Sequence, residues 1–227
     1  MARPVIVAID GPAGAGKSTV SKILALRLGF TLVDTGAIYR CVALKARRMK
    51  VAFDDPAGLA RVLHGLEVRF LMDEEKNHVF LDGADVSEEI RTPENSLAAS
   101  QVSSWPVVRD GLLELQRRLA LAAEQGAILE GRDIGTVVFP DADLKVFLFA
   151  DPTIRAKRRY EELFQKGHEK PVGEVLAEQN RRDKEDSERE VAPLKPADDA
   201  VRIDSTQLPL SEVVHQIESL VEARRPR

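Results

Sequence analysis

A stretch near the N-terminus combines closely spaced glycines with a lysine and two hydroxyl residues. Its residues are Gly11, Pro12, Ala13, Gly14, Ala15, Gly16, Lys17, Ser18 and Thr19. They fit the pattern G-x-x-x-x-G-K-[ST]. Backbone N–H groups can solvate a polyphosphate where no side chain blocks its approach, and glycines give that access. Lys17 could then reach the terminal phosphates and the Ser18 hydroxyl could hold Mg²⁺, so the stretch predicts a polyphosphate site.

The segments on either side have the patterns that such a loop requires. Residues 5–9 form an apolar run rich in β-branched side chains, which is typical of a strand buried on both faces. After the loop, apolar residues recur at helical spacing at Val20, Ile23, Leu24 and Leu28. Gly29 follows as a helix-ending glycine. The predicted strand–loop–helix unit would place phosphates at the positive N-terminal end of the helix.

Composition limits the class of protein. The chain has 227 residues, of which 44% are hydrophobic and 31% are charged, so we expect one globular domain with sub-parts. The net charge of −4 gives no general basic field for nucleic acid. Cys41 is the only cysteine, which excludes an internal disulfide and a cysteine-based metal site. With no signal-peptide pattern and no apolar run of membrane-spanning length, we expect a cytoplasmic protein.

The remainder of the chain alternates between predicted strands and helices. Further strands are predicted at 30–33, 127–130, 144–149 and 200–203, with helices between them. Two short strands at 66–71 and 78–81 are separated by a polar turn and interrupt this alternation. The pattern predicts an α/β fold with a central parallel sheet flanked by helices and an insertion that contains small antiparallel strands.

Polar residues follow two of the predicted strands. Thr35 and Arg40 come after the second strand, and Arg132 and Asp133 lie between two glycines after the strand at 127–130. Open α/β folds bind ligands at the carboxyl ends of their parallel strands. Thr35 and Arg40 fit a helix start with a surface arginine equally well. Arg109, in the first turn of a predicted helix, indicates either a nearby anion or an ordinary solvated arginine.

Residues 153–189 are rich in charge. Arg155 and Arg159 share one face of a predicted helix, while Gly167 and Pro171 separate it from a second helix. In that second segment, Arg182, Asp186 and Arg189 have i, i+4 and i+7 spacing, which predicts a common helical face. Such segments are usually solvated helices, but a chain that binds polyphosphate could use clustered arginines as anion clamps.

Five segments of the chain resemble the bacterial cytidylate kinases, a family of P-loop nucleoside monophosphate kinases. These segments are residues 10–19, 34–40, 99–102, 131–140 and 189–194. The phosphate loop occurs in a very large superfamily, whereas the glycine–arginine–aspartate segment at 131–133 is more specific. The resemblance covers nearly the whole chain.

The resemblance implies a single kinase domain with three parts. A core would comprise residues 1–36, 101–151 and 171–227, with a nucleotide-binding insert at about 37–100 and a helical lid at about 152–170. The implied reaction transfers the γ-phosphate of ATP, with Mg²⁺, to CMP or dCMP and gives ADP and CDP or dCDP. We expect a monomer that has these nucleotides as partners and binds neither nucleic acid nor membrane.

The resemblance also implies roles for particular residues. Cytosine would be contacted by Thr35, Arg109, Asp133 and Arg189, and Ser100 would line the same pocket. Asp186 would hold the ribose, and the CMP phosphate would be held by Arg40, Arg132 and Arg182. Lid arginines, including Arg155, Arg158 and Arg159, would close over the transferred phosphoryl group.

Two other classes of protein share the phosphate loop. A nucleotide-dependent switch such as a GTPase should carry an Asn-Lys-x-Asp segment for guanine, and the sequence has none. A kinase acting on a small acceptor that is not a nucleotide stays possible from the residues alone. An assay of ADP release with different acceptors separates this class from the nucleotide kinases.

Overall fold

The computed structural model describes residues 3–74, 76–165, 167 and 169–224. These residues divide into two compact units. The first unit comprises residues 3–4 and 25–130, and the second comprises residues 5–24 and 131–224. The second unit is therefore discontinuous in sequence, because residues 25–130 are inserted between its two segments.

Strands form two sheets in the part of the chain that the structure describes. The strands are β1 (Val5–Asp10), β2 (Thr31–Asp34), β3 (Val68–Met72), β4 (Asn77–Leu81), β5 (Ala84–Asp85), β6 (Gly126–Gly131), β7 (Leu144–Phe149) and β8 (Val201–Asp204). Within the described residues, one sheet is parallel and five-stranded, with the order β2-β6-β1-β7-β8, and the other has the order β3-β4-β5. The predicted α/β class, with a central parallel sheet and a small antiparallel element, is confirmed.

Helices connect most of the strands. They are α1 (Lys17–Leu28), α2 (Thr35–Arg48), α3 (Pro56–Leu63), α4 (Pro93–Ser103), α5 (Pro106–Leu121), α6 (Pro152–Gln165), α7 (Val172–Glu188) and α8 (Leu210–Glu222). A 3₁₀ turn spans Glu89–Arg91, and a short π-helix spans Ile134–Val138. Each helix in the part of the chain that the structure describes is too short or too polar to span a lipid bilayer.

In the second unit, β1 and β7 are parallel and almost fully buried. Their mostly apolar sequences, rich in β-branched residues in β1, suit strands that are covered on both faces. β1 ends at Asp10, which is in register with Phe147 of β7. β7 in turn pairs with β8 up to Phe149 and Asp204. The carboxyl ends of these strands therefore share one edge, and the glycine-rich loop begins there.

In the first unit, β2 and β6 pair in parallel up to Asp34 and Glu130. Asp34 also caps the next helix, because its Oδ1 atom accepts a hydrogen bond from the backbone N–H of Ala37 at 2.9 Å. Such a cap satisfies one of the amides left without a partner at a helix start. α2 begins directly at the strand end, at Thr35.

The small sheet has one strand that its sequence did not reveal. β3 and β4 pair as predicted, and the two residues of β5 pair with β4. A strand of two exposed residues has no hydrophobic pattern, so β5 was not predictable.

The imidazole of His78 on β4 lies between two carboxylates, 2.7 Å from Asp73 and 3.1 Å from Asp85. Hydrogen bonds to these carboxylates raise the pKa of His78.

Two helix boundaries differ from those that the pattern predicts. Residues 93–104 are small and polar and no helix was predicted there, yet α4 occupies most of them. Thr92 caps α4 by accepting a hydrogen bond from the backbone N–H of Asn95 at 3.2 Å, and Pro93 occupies the first turn. α7 ends at Glu188, so Arg189 lies beyond the helix on which it was predicted.

Candidate active site

The glycine-rich loop joins β1 to α1 in the geometry expected of a phosphate-binding loop. Gly11 has φ of +145° and Gly14 has φ of +75°, values that side chains disfavour. A Cβ atom on Gly11 would lie 1.9 Å from the Leu148 carbonyl oxygen, and one on Gly14 would lie 3.0 Å from the Arg155 Cβ atom. The loop is therefore packed closely on the side facing β7 and α6, and only glycine fits at these two positions.

Lys17 opens α1 with its side chain folded back over the loop. Its side chain is largely buried, and its Nζ atom donates a hydrogen bond to the Pro12 carbonyl oxygen at 2.8 Å. The ammonium group is thus held close to the backbone amides of the loop and to the positive end of the helix. A cation and several amides in one small volume attract an anion with more than one negative charge.

Arg155 contacts the backbone of the phosphate loop from α6, another element of the second unit. Arg155 of α6 is 4% exposed and donates from Nη1 to the Ala13 carbonyl oxygen at 2.9 Å. The same nitrogen lies 2.7 Å from Oδ2 of Asp183 on α7. Arg155 was expected to face the transferred phosphoryl group from a lid, but the structure places it against the backbone of the phosphate loop.

The other arginines of α6 differ from Arg155 in their surroundings. Arg158 donates to Ser205, which follows β8, at 3.2 Å and 2.7 Å. Arg159 is more exposed and pairs with Glu162 on the same helix at 3.0 Å. The shared face predicted for Arg155 and Arg159 therefore includes one buried and one solvated guanidinium group.

Asp10 connects β1 to the segment that carries Arg132 and Asp133. Its two carboxylate oxygens accept hydrogen bonds from the backbone N–H groups of Ile134 at 2.9 Å and Gly135 at 2.8 Å. Burial raises the pKa of Asp10 to about 6, although the two N–H groups act in the opposite direction. Asp10 was not among the predicted site residues. The feature that could have indicated it is a carboxylate at the end of an otherwise apolar strand.

Four charged residues of the second unit form an alternating cluster. Arg132 donates from Nε to Oδ2 of Asp186 at 2.9 Å. Arg189 lies 3.6 Å from Oδ1 of Asp186 through Nη1, and 3.9 Å from Oδ1 of Asp133 through Nη2. All four side chains are less than a quarter exposed. These residues were predicted as site residues from separate segments, and the structure brings them together.

Arg182 lies one helical turn before Asp186 on α7 and is half-buried. The common face predicted for Arg182, Asp186 and Arg189 is only partly correct, because the helix ends before Arg189. Arg189 has an extended backbone just past the end of the helix, yet its guanidinium group stays within 3.6 Å of Asp186.

In the first unit, Thr35 and Arg109 are buried polar residues at 3% and 7% exposure. The Thr35 hydroxyl donates its hydrogen to the Glu130 carbonyl oxygen at 2.7 Å. Arg109 donates from Nη1 to the Ser103 carbonyl oxygen at 3.1 Å, and its guanidinium carbon lies 5.4 Å from the centre of the Tyr39 ring. The Thr35 hydroxyl oxygen is thus oriented to accept a hydrogen bond from another group. Arg109 is held in place by its contacts with Tyr39 of α2 and Ser103 of α4.

Arg40 and Ser100 are half-buried on α2 and α4 of the same unit. These helices are joined by a hydrogen bond from the Asn95 side chain to the Arg40 carbonyl oxygen at 3.1 Å. Ser100 accepts, through its carbonyl oxygen, a hydrogen bond from the Ser103 hydroxyl at 2.9 Å. The first unit therefore holds Thr35, Arg40, Ser100 and Arg109 on neighbouring helices.

The strand, the loop and the helix that begins at Lys17 define a P-loop protein of the parallel α/β class. A family model described as cytidylate kinase matches residues 7–223. The chain therefore belongs to the cytidylate kinase family.

Curated relatives agree with this assignment. The chain is 52% identical to a cytidylate kinase of Geobacter sp. (strain M21), over 97% of this chain and 94% of the relative. It is 53% identical to a cytidylate kinase of Geobacter sulfurreducens, over 98% of this chain and 94% of the relative. The fold also resembles a solved structure of an uncharacterized protein from Eubacterium ventriosum, with a TM-score of 0.50, 14% identity, and coverage of 97% of this chain and 99% of that chain.

Proposed function

We propose that this chain transfers the γ-phosphate of ATP to CMP or dCMP, giving ADP and CDP or dCDP. The observation that carries this proposal is a complete phosphate-binding loop in a chain whose residues 7–223 match the cytidylate kinase family. An oxygen of the CMP phosphate attacks the γ-phosphorus, and the bond from that phosphorus to the β–γ bridging oxygen breaks. The CMP phosphate is mostly dianionic at neutral pH, so it needs no general base.

Catalysis would then depend on positioning and charge. The loop amides and Lys17 would offset the negative charge on the donor, while arginines would hold the acceptor phosphate close to it. We assign the CMP phosphate to Arg40, Arg132 and Arg182, and the ribose to Asp186. Contacts to the transferred phosphoryl group are assigned to Arg155 and Arg159, and Arg155 would have to leave its bond to Ala13 to make them.

Mg²⁺ would accompany the donor phosphates. The Ser18 hydroxyl lies in the first turn of α1, exposed and next to Lys17, and hydroxyl oxygen is a ligand that Mg²⁺ accepts. No group of three or more histidine, cysteine or acidic side chains in the described residues could hold a metal ion. The Ser18 hydroxyl would therefore hold Mg²⁺ together with phosphate oxygens of the donor and water. Bound there, it would supply positive charge to the phosphate oxygens.

We further propose that the protein acts as a cytoplasmic monomer whose partners are its nucleotides. Its net charge of −4 offers no general attraction to nucleic acid or to an anionic membrane surface.

The reaction is tested by measuring ADP release with CMP, dCMP, AMP and shikimate as acceptors. We expect rapid, magnesium-dependent turnover with CMP and dCMP, and turnover at least 100-fold lower with AMP and shikimate. EDTA should abolish the activity, and added Mg²⁺ should restore it. Equal use of AMP would assign the chain to another nucleotide specificity, and preference for shikimate would assign it to the small-molecule kinases.

The Arg182→Met variant tests the acceptor side of the site. We expect kcat/KM for CMP to fall by about 10- to 150-fold, because a hydrogen bond to a charged phosphate contributes roughly 1.5–3 kcal/mol. The KM for ATP should change less than threefold. Arg181→Met is the matched control, since Arg181 is the adjacent residue and its side chain is 61% exposed. Equal damage to the kinetics of both substrates would place Arg182 on the donor side or in the folding core.

A further inference from the structure

Ser205 lies directly after β8 and has no role in the assignments above. It is 4% exposed, and its backbone N–H donates to the Phe149 carbonyl oxygen at 2.7 Å. This bond continues the pairing of β7 with β8 by one residue beyond Asp204. The position of Ser205 is therefore fixed by the sheet, at the edge where the phosphate loop begins.

The side chain of Ser205 connects Arg158 to the phosphate loop. The hydroxyl donates to the Ala15 carbonyl oxygen at 3.0 Å and accepts from Nη1 of Arg158 at 3.2 Å. Nη2 of Arg158 also donates to the Ser205 carbonyl oxygen at 2.7 Å. A hydroxyl has one hydrogen, and accepting from a cation makes it a stronger donor. Arg158 therefore directs that hydrogen to Ala15 and strengthens its bond.

This bond determines the direction of one amide in the phosphate loop. The Ala15 carbonyl and the Gly16 N–H belong to the same planar peptide group, and in a trans peptide they point in opposite directions. Gly16 has φ of +95°, so the backbone beside this peptide is in a region that few residues adopt. Holding the Ala15 carbonyl from behind therefore keeps the Gly16 N–H pointing away from Ser205.

We propose that Ser205, oriented by Arg158, is a positioning residue that keeps the Gly16 amide directed toward the donor phosphates before the nucleotide binds. The proposal rests on the proposed function only in that the loop binds the phosphates of ATP. Donors that are fixed in advance need no reorganisation when the charge arrives, so they bind phosphate more tightly than mobile donors.

The proposal is tested by comparing Ser205→Ala with Thr206→Ala. Both variants lose a hydroxyl in the same turn, but the Thr206 hydroxyl contacts Asp204 and the backbone N–H of Asp151, not the phosphate loop. We expect Ser205→Ala to weaken binding of both ATP and inorganic tripolyphosphate by about 3- to 10-fold, the range for one hydrogen bond. The KM for CMP should change less than twofold, and Thr206→Ala should bind both ligands as the parent does.

Other outcomes would overturn this role. Unchanged tripolyphosphate binding with weaker ATP binding would mean that Ser205 serves the base or the ribose of the donor. Unchanged binding of both ligands would mean that the hydroxyl does not position the loop. If Ser205→Ala does not fold, Ser205→Cys replaces it, because cysteine keeps a similar volume and has a weaker donor. We expect Ser205→Cys to lose less tripolyphosphate affinity than Ser205→Ala would. If Ser205 serves folding alone, the folded Ser205→Cys protein will bind tripolyphosphate as the parent does, or neither variant will fold.

A double-mutant cycle tests the contribution of Arg158. Arg158→Met should weaken tripolyphosphate binding in the parent but have little further effect in Ser205→Ala, because its influence would pass through the Ser205 hydroxyl. An equal loss in both backgrounds would mean that Arg158 contacts the phosphates itself. The kinase activity of the parent toward CMP is measured separately, so the reaction can be correct even where this positioning role is not.

Discussion

The Lys17→Ala variant should retain less than about 1% of the parent kcat, because removal of one preorganised charge-stabilising group typically costs 10²–10³-fold. Lys17 is 7% exposed and lies against the phosphate loop through its bond to the Pro12 carbonyl oxygen. When ATP binds, the Lys17 ammonium group would exchange this bond for contacts with the β- and γ-phosphate oxygens and offset the charge that develops there. Alanine offers neither the charge nor the reach.

The measurement is steady-state kcat with CMP and ATP, together with the melting temperature. Lys22→Ala is the matched control, since it removes the same charge from α1 at a position with no proposed role. We expect Lys22→Ala to have a kcat within twofold of the parent and both variants to unfold cooperatively. A Lys17→Ala enzyme that retains more than a tenth of the parent turnover would contradict the role given to this lysine.

The second large effect concerns the base. We expect the parent to favour CMP over UMP by about 10²–10⁴ in kcat/KM, because each mismatched polar contact costs roughly 1–3 kcal/mol and two are involved. Cytosine has an amino donor at N4 and an acceptor at N3, whereas uracil has an acceptor and a donor at these positions. The proposed contacts are Asp133 and Thr35 as acceptors for the amino group, and Arg109 and Arg189 as donors.

The arrangement within each unit supports these roles. The Thr35 hydroxyl gives its hydrogen to the Glu130 carbonyl oxygen, so toward another ligand it acts as an acceptor. Arg109 can only donate, and its contacts with Ser103 and Tyr39 fix it in one orientation. An arginine that faces the N3–H of uracil would oppose a donor with a donor, which rejects the wrong base as well as attracting the right one.

Arg109→Leu should therefore lower kcat/KM for CMP by at least tenfold and change the value for UMP by less than threefold. Arg118→Leu on the same helix is the control, since Arg118 is exposed, and it should leave both values unchanged. If the parent enzyme has a kcat/KM for UMP within threefold of its value for CMP, the proposal that these residues select cytosine is wrong. A parallel loss for both nucleotides in Arg109→Leu would show that Arg109 supports the fold or the phosphate instead.

Several features were predictable because their cause is local in sequence. The phosphate loop was predicted from nine consecutive residues, and its conformation depends on glycines within that stretch and on the strand and helix that adjoin it. The parallel sheet was predicted because a strand that is buried on both faces is mostly apolar, as β1 and β7 are apart from Asp10 and Lys145. Residue roles in substrate binding stay predictions, because they depend on the resemblance.

The tertiary structure alone decided which polar groups meet. Arg132 and Asp186 are 54 positions apart, Asp10 and Ile134 are 124 apart, and Ser205 and Ala15 are 190 apart. No periodicity links such pairs, since they come together only when the strands, loops and helices that carry them pack against one another. The same reason explains Arg155, whose helical spacing indicated a solvated face until packing against α7 and the loop buried it. The sequence thus determined the phosphate loop and the fold class, and packing determined which charges surround the loop.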